Sequence, residues 1–560
     1  MSNAEITITD ADNTVEVVKT AELDAPAPVE QPNVVVTRVE FVGIMASLSL
    51  LLFAASLLAT IVATALPSIA HDLNDLADYA WVATAYLLTS TTIQPLSGVL
   101  SDIFGRKACI VFASAVFLVA TIVSAVSVNM IMLIVARGIM GIGGGIIFSV
   151  VYVIIADIVI PKKRGIYQGM IGGIFSIATV IGPIIGGYFT DSSAGWRWCF
   201  YVIIPLAAIS LIAIVIFMKF PKPSGSLRDK IGRLDVWGTL AICFSVVLFL
   251  LALTWGGTNY SWDSGIIIGL LVGGVVLIAV FFVVEAKIPR VPIMPLDLFK
   301  YRNFNTSNII AFTIGFQLYG CIFFIPLYFQ VVHGSNATQA GLGLLPLVLT
   351  LTLASILSGI LTSRFGFTKA LVIPGMALLT ISVGLFIILD AGSSRALEST
   401  FLGMMGFAAG LCMQTVTVVV QGSLPVPRLA AATATNTFFR TFGGVFGVAL
   451  FQTILTTRFE SSLVQRLGPK ALSGSSTSFD PTSIASLPPS VQGTVIAAFV
   501  DGFHSVWIVT AAVVGFGFIV ALFMKSVDWS KSSNTKKDAS PSQSLDNTAV
   551  EAAKPDDTNV

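Results

Sequence analysis

The amino-acid sequence predicts an all-α polytopic membrane protein in which two six-helix halves flank a pair of inserted helices. Composition is the first observation behind this. Of 560 residues, 55% are hydrophobic and 11% charged, with a mean hydropathy of +0.89, a balance foreign to water-soluble domains. The second is that apolar runs of the roughly 20 residues needed to cross a bilayer recur fourteen times. The third is a pair of glycine motifs that both return at one fixed offset, the mark of a duplicated chain.

The runs fall at 41–66, 79–101, 108–128, 131–157, 166–189 and 198–219, then at 236–256 and 265–285. Six more follow at 306–330, 340–362, 370–390, 399–421, 431–455 and 503–524. An even number of spans puts both tails on one side. Lys and Arg crowd the joints after even-numbered spans, as at Arg106 and Lys107 or at Lys162, Lys163 and Arg164, whereas the opposite joints before residue 455 hold only Arg197 and Arg395. The positive-inside rule makes the crowded side cytoplasmic. The expected organisation is a disordered cytoplasmic tail (1–38), a six-helix bundle (39–220), and a cytoplasmic linker with two inserted helices (221–290). A second bundle (291–526) carries an outward loop at 456–502, and a disordered cytoplasmic tail (527–560) ends the chain. The inserted pair is nearly free of polar residues at mid-membrane, which suits peripheral packing.

A net charge of +1 gives no reason to expect a nucleic-acid partner. Five scattered cysteines show neither pairing nor metal-ligand spacing, and no Walker-type loop or catalytic constellation is present. The chain therefore reads as a non-enzyme, with no metal and no cofactor.

Gly98-Val99-Leu100-Ser101-Asp102-Ile103-Phe104-Gly105-Arg106-Lys107 ends the second run and turns into the third. Gly359 follows Gly98 by 261 residues, with Ser363 in place of Asp102 and Gly366 in place of Gly105. Gly182-Pro183-Ile184-Ile185-Gly186-Gly187 returns at the same offset as Gly443 to Gly447. Glycines let helix ends approach closely, Asp102 caps a helix or meets its positive end, and Arg106 and Lys107 lie where cytoplasmic cations belong. The second copy lacks those charges, so a latch there is expected to be weaker. Pro183 breaks a helical ladder and Gly182 with Gly186 makes a small-residue face, as a fixed kink or as a moving hinge. Arg137 and Arg440 lie deep in their spans, where a cation is expensive and marks function unless it snorkels.

Gly98 to Lys107 resembles motif A of the major facilitator superfamily, Arg137 with Gly138, Gly141 and Gly145 its motif B, and Gly182 to Gly187 its antiporter motif C. With fourteen spans, the chain is similar to the 14-helix drug:proton antiporters, and its long tails and outward loop look fungal. Asp157-x-x-x-Pro161-x-x-Arg164-Gly165-x-Tyr167-Gln168-Gly169, Trp196-Arg197-Trp198 and Pro326-Leu327-Tyr328-x-Gln330 match further signatures of that family. The resemblance implies the major facilitator fold and a gate of Gly98, Asp102, Gly105, Arg106 and Lys107 with Asp157 as partner. It also implies proton coupling through Arg137 and a seal against proton leak at Gly182, Pro183, Gly186 and Gly187. One departure stands out: Leu58 occupies the position where relatives carry a first-span acid. No other mid-membrane carboxylate is expected, which leaves Asp102, Asp157 and Arg137 to couple protons or leaves coupling absent.

Gln94, Phe148, Tyr152, Gln317, Gln414 and Arg440 are the candidate cavity residues, a neutral and aromatic set suited to apolar or amphipathic molecules. The function expected is alternating-access export of small organic compounds by a monomer in the plasma membrane, with protons as the coupling ion and the lipid bilayer as surroundings. The alternatives are a vacuolar transporter of basic amino acids and a nutrient sensor that has lost transport. Asn259 and Asn336 are expected glycosylation sites in outward loops, and Asn305 is expected to face the cytoplasm bare.

Overall fold

The structure is a computed structural model that describes residues 37–73, 79–220, 223, 235–257, 260–287, 292–467 and 489–527. Fourteen long helices carry these residues: α1 (Arg38–Asp72), α2 (Tyr79–Phe104), α3 (Arg106–Ala125), α4 (Met130–Ile158), α5 (Arg164–Asp191), α6 (Ile203–Phe217), α7 (Val236–Trp255) and α8 (Gly265–Lys287). The second half holds α9 (Arg302–His333), α10 (Leu345–Phe365), α11 (Lys369–Leu385), α12 (Arg395–Gly422), α13 (Leu429–Leu467) and α14 (Pro489–Leu522).

Among the described residues, thirteen helices are long and apolar enough to cross a membrane, and α2 is not one of them. Its run Thr89-Ser90-Thr91-Thr92 with Gln94 lowers its hydropathy. Helices α4, α13 and α7 pack along α2. They shield those hydroxyls from lipid, and Thr89, Ser90 and Thr92 each donate to a backbone carbonyl of α2.

Helices α1 to α6 pack on one another as one bundle and α9 to α14 as another, joined along two seams, α5 with α10 and α2 with α13. Both bundles use one device. A Cβ on Gly141 of α4 would stand 2.5 Å from the Tyr86 carbonyl of α2. In the second bundle, Gly406 and Gly410 of α12 likewise face the Leu347 and Leu351 carbonyls of α10. Bare glycine surfaces let the backbones meet where side chains would hold them apart.

Helix α7 lies over the α2–α13 seam, where Ala241, Ile242, Val246 and Leu250 share a cluster with Phe438. Helix α8 packs behind it and turns Ile268, Val272, Val275, Val276 and Val283 outward. The inserted pair is therefore a cover for one seam, with its outer face suited to lipid.

One expectation needs correction. The loop expected at 456–502 is helical at both ends, because α13 runs on to Leu467 and α14 begins at Pro489. Arg466 reaches Asp501 at 2.8 Å, Ser462 donates to the same carboxylate at 2.6 Å, and Phe459 meets Phe499, so the two helices continue as a pair beyond the apolar run. Glu398, in the first turn of α12, is 1% exposed, a buried carboxylate that the apolar-run reading passed over.

Candidate functional site

Residues from both bundles converge on a narrow cleft of about 30 Å³ partway along the helices. Ser56, Ala59 and Thr60 of α1, Tyr86 and Ser90 of α2, Phe148 of α4, and Phe175 and Thr179 of α5 form one wall. Tyr319, Ile322 and Phe323 of α9 with Thr441 of α13 form the other. No charged side chain lines it. Aromatic faces and hydroxyls give apolar contact with scattered hydrogen-bonding points, the composition of a small-molecule pocket.

Of the six cavity candidates, only Phe148 lines the cleft. Gln94, Gln317 and Gln414 are 0% exposed, and both amide atoms of Gln94 and of Gln414 lack a hydrogen-bond partner. Gln414 presses against Gly172 of α5. Tyr152 is buried beneath the Arg440 guanidinium, 5.4 Å from its ring centroid. Gln94, Gln414, Tyr152 and Arg440 lie in the halves of their helices nearer the α2–α3 turn, whose side is here called the tail face. Leu58 is fully buried in the core and does not face the cleft either.

On the tail face the seams are shut. A Cβ on Gly98 would stand 2.7 Å from the Ala430 carbonyl of α13, and one on Gly165 would stand 2.7 Å from the Gly359 carbonyl of α10. Gln168 Nε2 donates to Gln421 Oε1 at 2.6 Å, and Ile166 N–H donates to Ser363 Oγ at 3.1 Å. Gln421 is a seam residue that the sequence reading missed, since a lone amide at a span's end carries no signal.

Beside this seam, Arg106 Nε donates to Asp157 Oδ2 at 2.7 Å and its Nη1 to Ser101 Oγ at 2.9 Å, with an ion pair to Asp102 as well. Gly105 supplies the turn with φ +92°, which L residues avoid. Lys107 Nζ donates to the Val215 carbonyl at 2.8 Å, in the last turn of α6, where a cation meets the negative helix end. All these partners belong to the first bundle. The charged cluster ties α2, α3, α4 and α6 together, whereas Gly98, Gly165, Gly359, Gln168, Gln421 and Ser363 reach across between the bundles.

Arg137 is 1% exposed; its Nε donates to the Val82 carbonyl at 2.9 Å and its guanidinium lies 4.4 Å from the Tyr86 ring centroid. It forms no salt bridge among the described residues. Tyr86 lines the cleft, so Arg137 stands one side chain behind it. Gly182 of α5 faces Thr60 and Ile61 of α1, Gly186 faces Ile61 and Thr64, and Gly187 faces open space. Pro183 lies inside α5 without ending it. On the face opposite the tails, Asp72 accepts from Trp196 Nε1 at 2.9 Å and from Arg197 at 2.7 Å, and Arg197 also donates to the Ser127 carbonyl. Asn336 is exposed and caps a short helix, Ala337–Leu342. Asn305 donates to the Phe299 carbonyl at 2.6 Å, and Asn259 lies outside the described residues.

The family description "Major Facilitator Superfamily" matches residues 48–448. The chain is 35% identical to the efflux pump dotC of Dothistroma septosporum over 87% of its own length and 84% of that protein. It is 32% identical to the multidrug transporter protein MdtP of Bacillus subtilis, covering 88% and 94% of the two chains, and 32% identical to the efflux pump FUS6 of Gibberella fujikuroi, covering 88% and 90%. Among solved structures, the human organic anion transporter MFSD10 (TETRAN) superposes with a TM-score of 0.56 at 16% identity, over 86% of this chain and 99% of that one, which speaks to the fold.

Proposed function

This chain belongs to the Major Facilitator Superfamily, and we propose on that premise that it exports small organic compounds by alternating access of its two bundles. The observation that carries the reading is the uncharged aromatic cleft, walled by both bundles and lying over a seam shut on the tail face. Names of relatives from fungi and bacteria, efflux pumps and a multidrug transporter, support the direction. Opening the tail-side seam would expose Gln94 and Gln414, whose unpartnered amides would then meet a substrate arriving from that side. Protons are the coupling ion in this proposal, the tail face is cytoplasmic, the chain works as a monomer in the plasma membrane, and Asn336 is open to glycosylation. A cleft without a carboxylate does not favour the reading as a carrier of basic amino acids.

Purified protein in liposomes decides the matter. A panel of apolar and amphipathic dyes is expected to show saturable transport, faster with a pH gradient than without one. Absence of transport for the whole panel would leave a sensor role and overturn the proposal.

A further inference from the structure

We propose that Glu398, His333 and Tyr328 form a proton-binding site in the second bundle, reached from the face opposite the tails. Glu398 is 1% exposed, accepts from Tyr328 Oη at 3.1 Å, and faces His333 Nε2 at 2.9 and 3.0 Å from its two carboxylate oxygens. His333 is the outer member, with 15% of its side chain exposed, so protons arrive through the imidazole. Chemistry assigns the protons. A ring that bonds a carboxylate through Nε2 carries hydrogen there, which leaves Nδ1 to take a second proton from water. Without that proton the buried site holds one negative charge. With it, imidazolium and carboxylate cancel. A buried site that changes net charge by one proton is what ion coupling requires, and a carboxylate that is 1% exposed is costly unless it has such a task.

Among the described residues, the charged neighbours are few. Arg395, one turn before Glu398 on α12, lies over the Phe329 ring and bonds Ser335. Asp390 precedes α12 and stands 3.9 Å from His504 of α14, which is bonded instead to the Leu389 carbonyl at 2.7 Å. Asp501 of α14 is engaged by Arg466 and Ser462. Between Leu345 and Ser363, α10 has no titratable side chain, and α11 has only Lys369 at its tail end. Helix α13 meets α12 through neutral pairs, Thr417 with Asn436 and Gln421 with Thr433.

The site joins two working helices. Tyr328 and His333 belong to α9, which lines the cleft with Tyr319, and Glu398 belongs to α12, which closes the tail-side seam with Gln421. Proton binding turns a hydrogen bond between them into an ion pair, tightening α9 against α12. This consequence for transport rests on the exporter reading, but proton binding does not.

The chain has three histidines, so H71Q/H504Q leaves His333 alone. In that background, reconstituted in nanodiscs with nitrogen-15 histidine, acidification is expected to convert unprotonated Nδ1 to N–H in the ring spectrum, and adding E398Q is expected to displace that titration curve. A ring that does not titrate, or a curve that E398Q leaves in place, overturns the site. In liposomes, E398Q and H333Q are each expected to lose roughly tenfold of the acceleration given by acid on the face opposite the tails, with exchange of dye at equal pH retained. Acceleration that survives both variants overturns the coupling role. H333Q keeps Glu398 and Tyr328, so it decides the matter if E398Q fails to fold. The nitrogen-15 arm needs no transported compound, and a failed dye panel therefore tells against export without touching the proton site.

Discussion

The α2–α3 corner and the α10–α11 corner descend from one pattern and solve closure differently. Gly98 and Gly359 do equal work, each bringing its helix to backbone contact with the other bundle. Beyond the glycines the corners part. Where the first copy gathers Asp102, Arg106 and Asp157 into a cluster confined to its own bundle, the second puts Ser363 across the seam to the Ile166 amide. Close approach is thus shared by the two halves, and charge belongs to one. The seam depends on shape, and the cluster sets the geometry of the helix ends that present it.

The largest effect tests the shared part. Gly98→Val and Gly359→Val each place branched carbons where only a carbonyl fits, and each is expected to reduce export more than tenfold while protein still reaches the membrane. Gly187→Val is the control, because nothing lies within 4 Å of its added Cβ. Dye transport alongside cysteine crosslinking across the two seams reads the result. If only one of the two glycines proved sensitive, the equivalence of the corners would fail.

Next in size is the part that differs. Asp102→Asn or Arg106→Ala removes a member of a three-charge cluster and is expected to slow export about tenfold, in line with a conformational bias of ~1–3 kcal/mol. Ser363→Ala removes one hydrogen bond, worth about 1 kcal/mol at a neutral pair. A milder loss is expected there, though not the indifference that a lost latch implies. Equal losses at Ser363 and Asp102 would show that charge adds nothing to the first corner.

The succession of helices and the place of the inserted pair are legible because burial in a membrane writes itself as long apolar runs. Partners were less so. Arg106 and Asp157 lie 51 residues apart and were brought together only by resemblance to a family; Gln168 and Gln421 lie 253 apart and were not paired at all. Amides at Gln94 and Gln414 read as cleft residues because they are polar at mid-span, and polarity does not say which way a helix face turns. Glu398 escaped since it opens a span beside Arg395 and reads as an interfacial charge, whereas its partner His333 stands 65 residues away.

The smallest expected effect concerns the face opposite the tails. There, Asp72 fastens the end of α1, which projects past the apolar part at Val62, to Trp196 and Arg197. The indole N–H of Trp196, and then Arg197, hold the Asp72 carboxyl below its usual range. A lowered value in the folded protein means stability that is fully present above the ordinary carboxylate value of about 3.9 and is lost as pH falls through the lowered one. Wild type is therefore expected to melt slightly above Asp72→Asn from neutral pH down to about 4, and the two curves to converge as pH falls through the lowered Asp72 value. Half-exposure of the carboxylate keeps the difference small, since water and salt screen it. Thermal unfolding in nanodiscs across that range is the measurement. A gap unchanged at the acid end would mean that Asp72 holds α1 by shape, as the tail-side glycines do, and that charge fastens neither face.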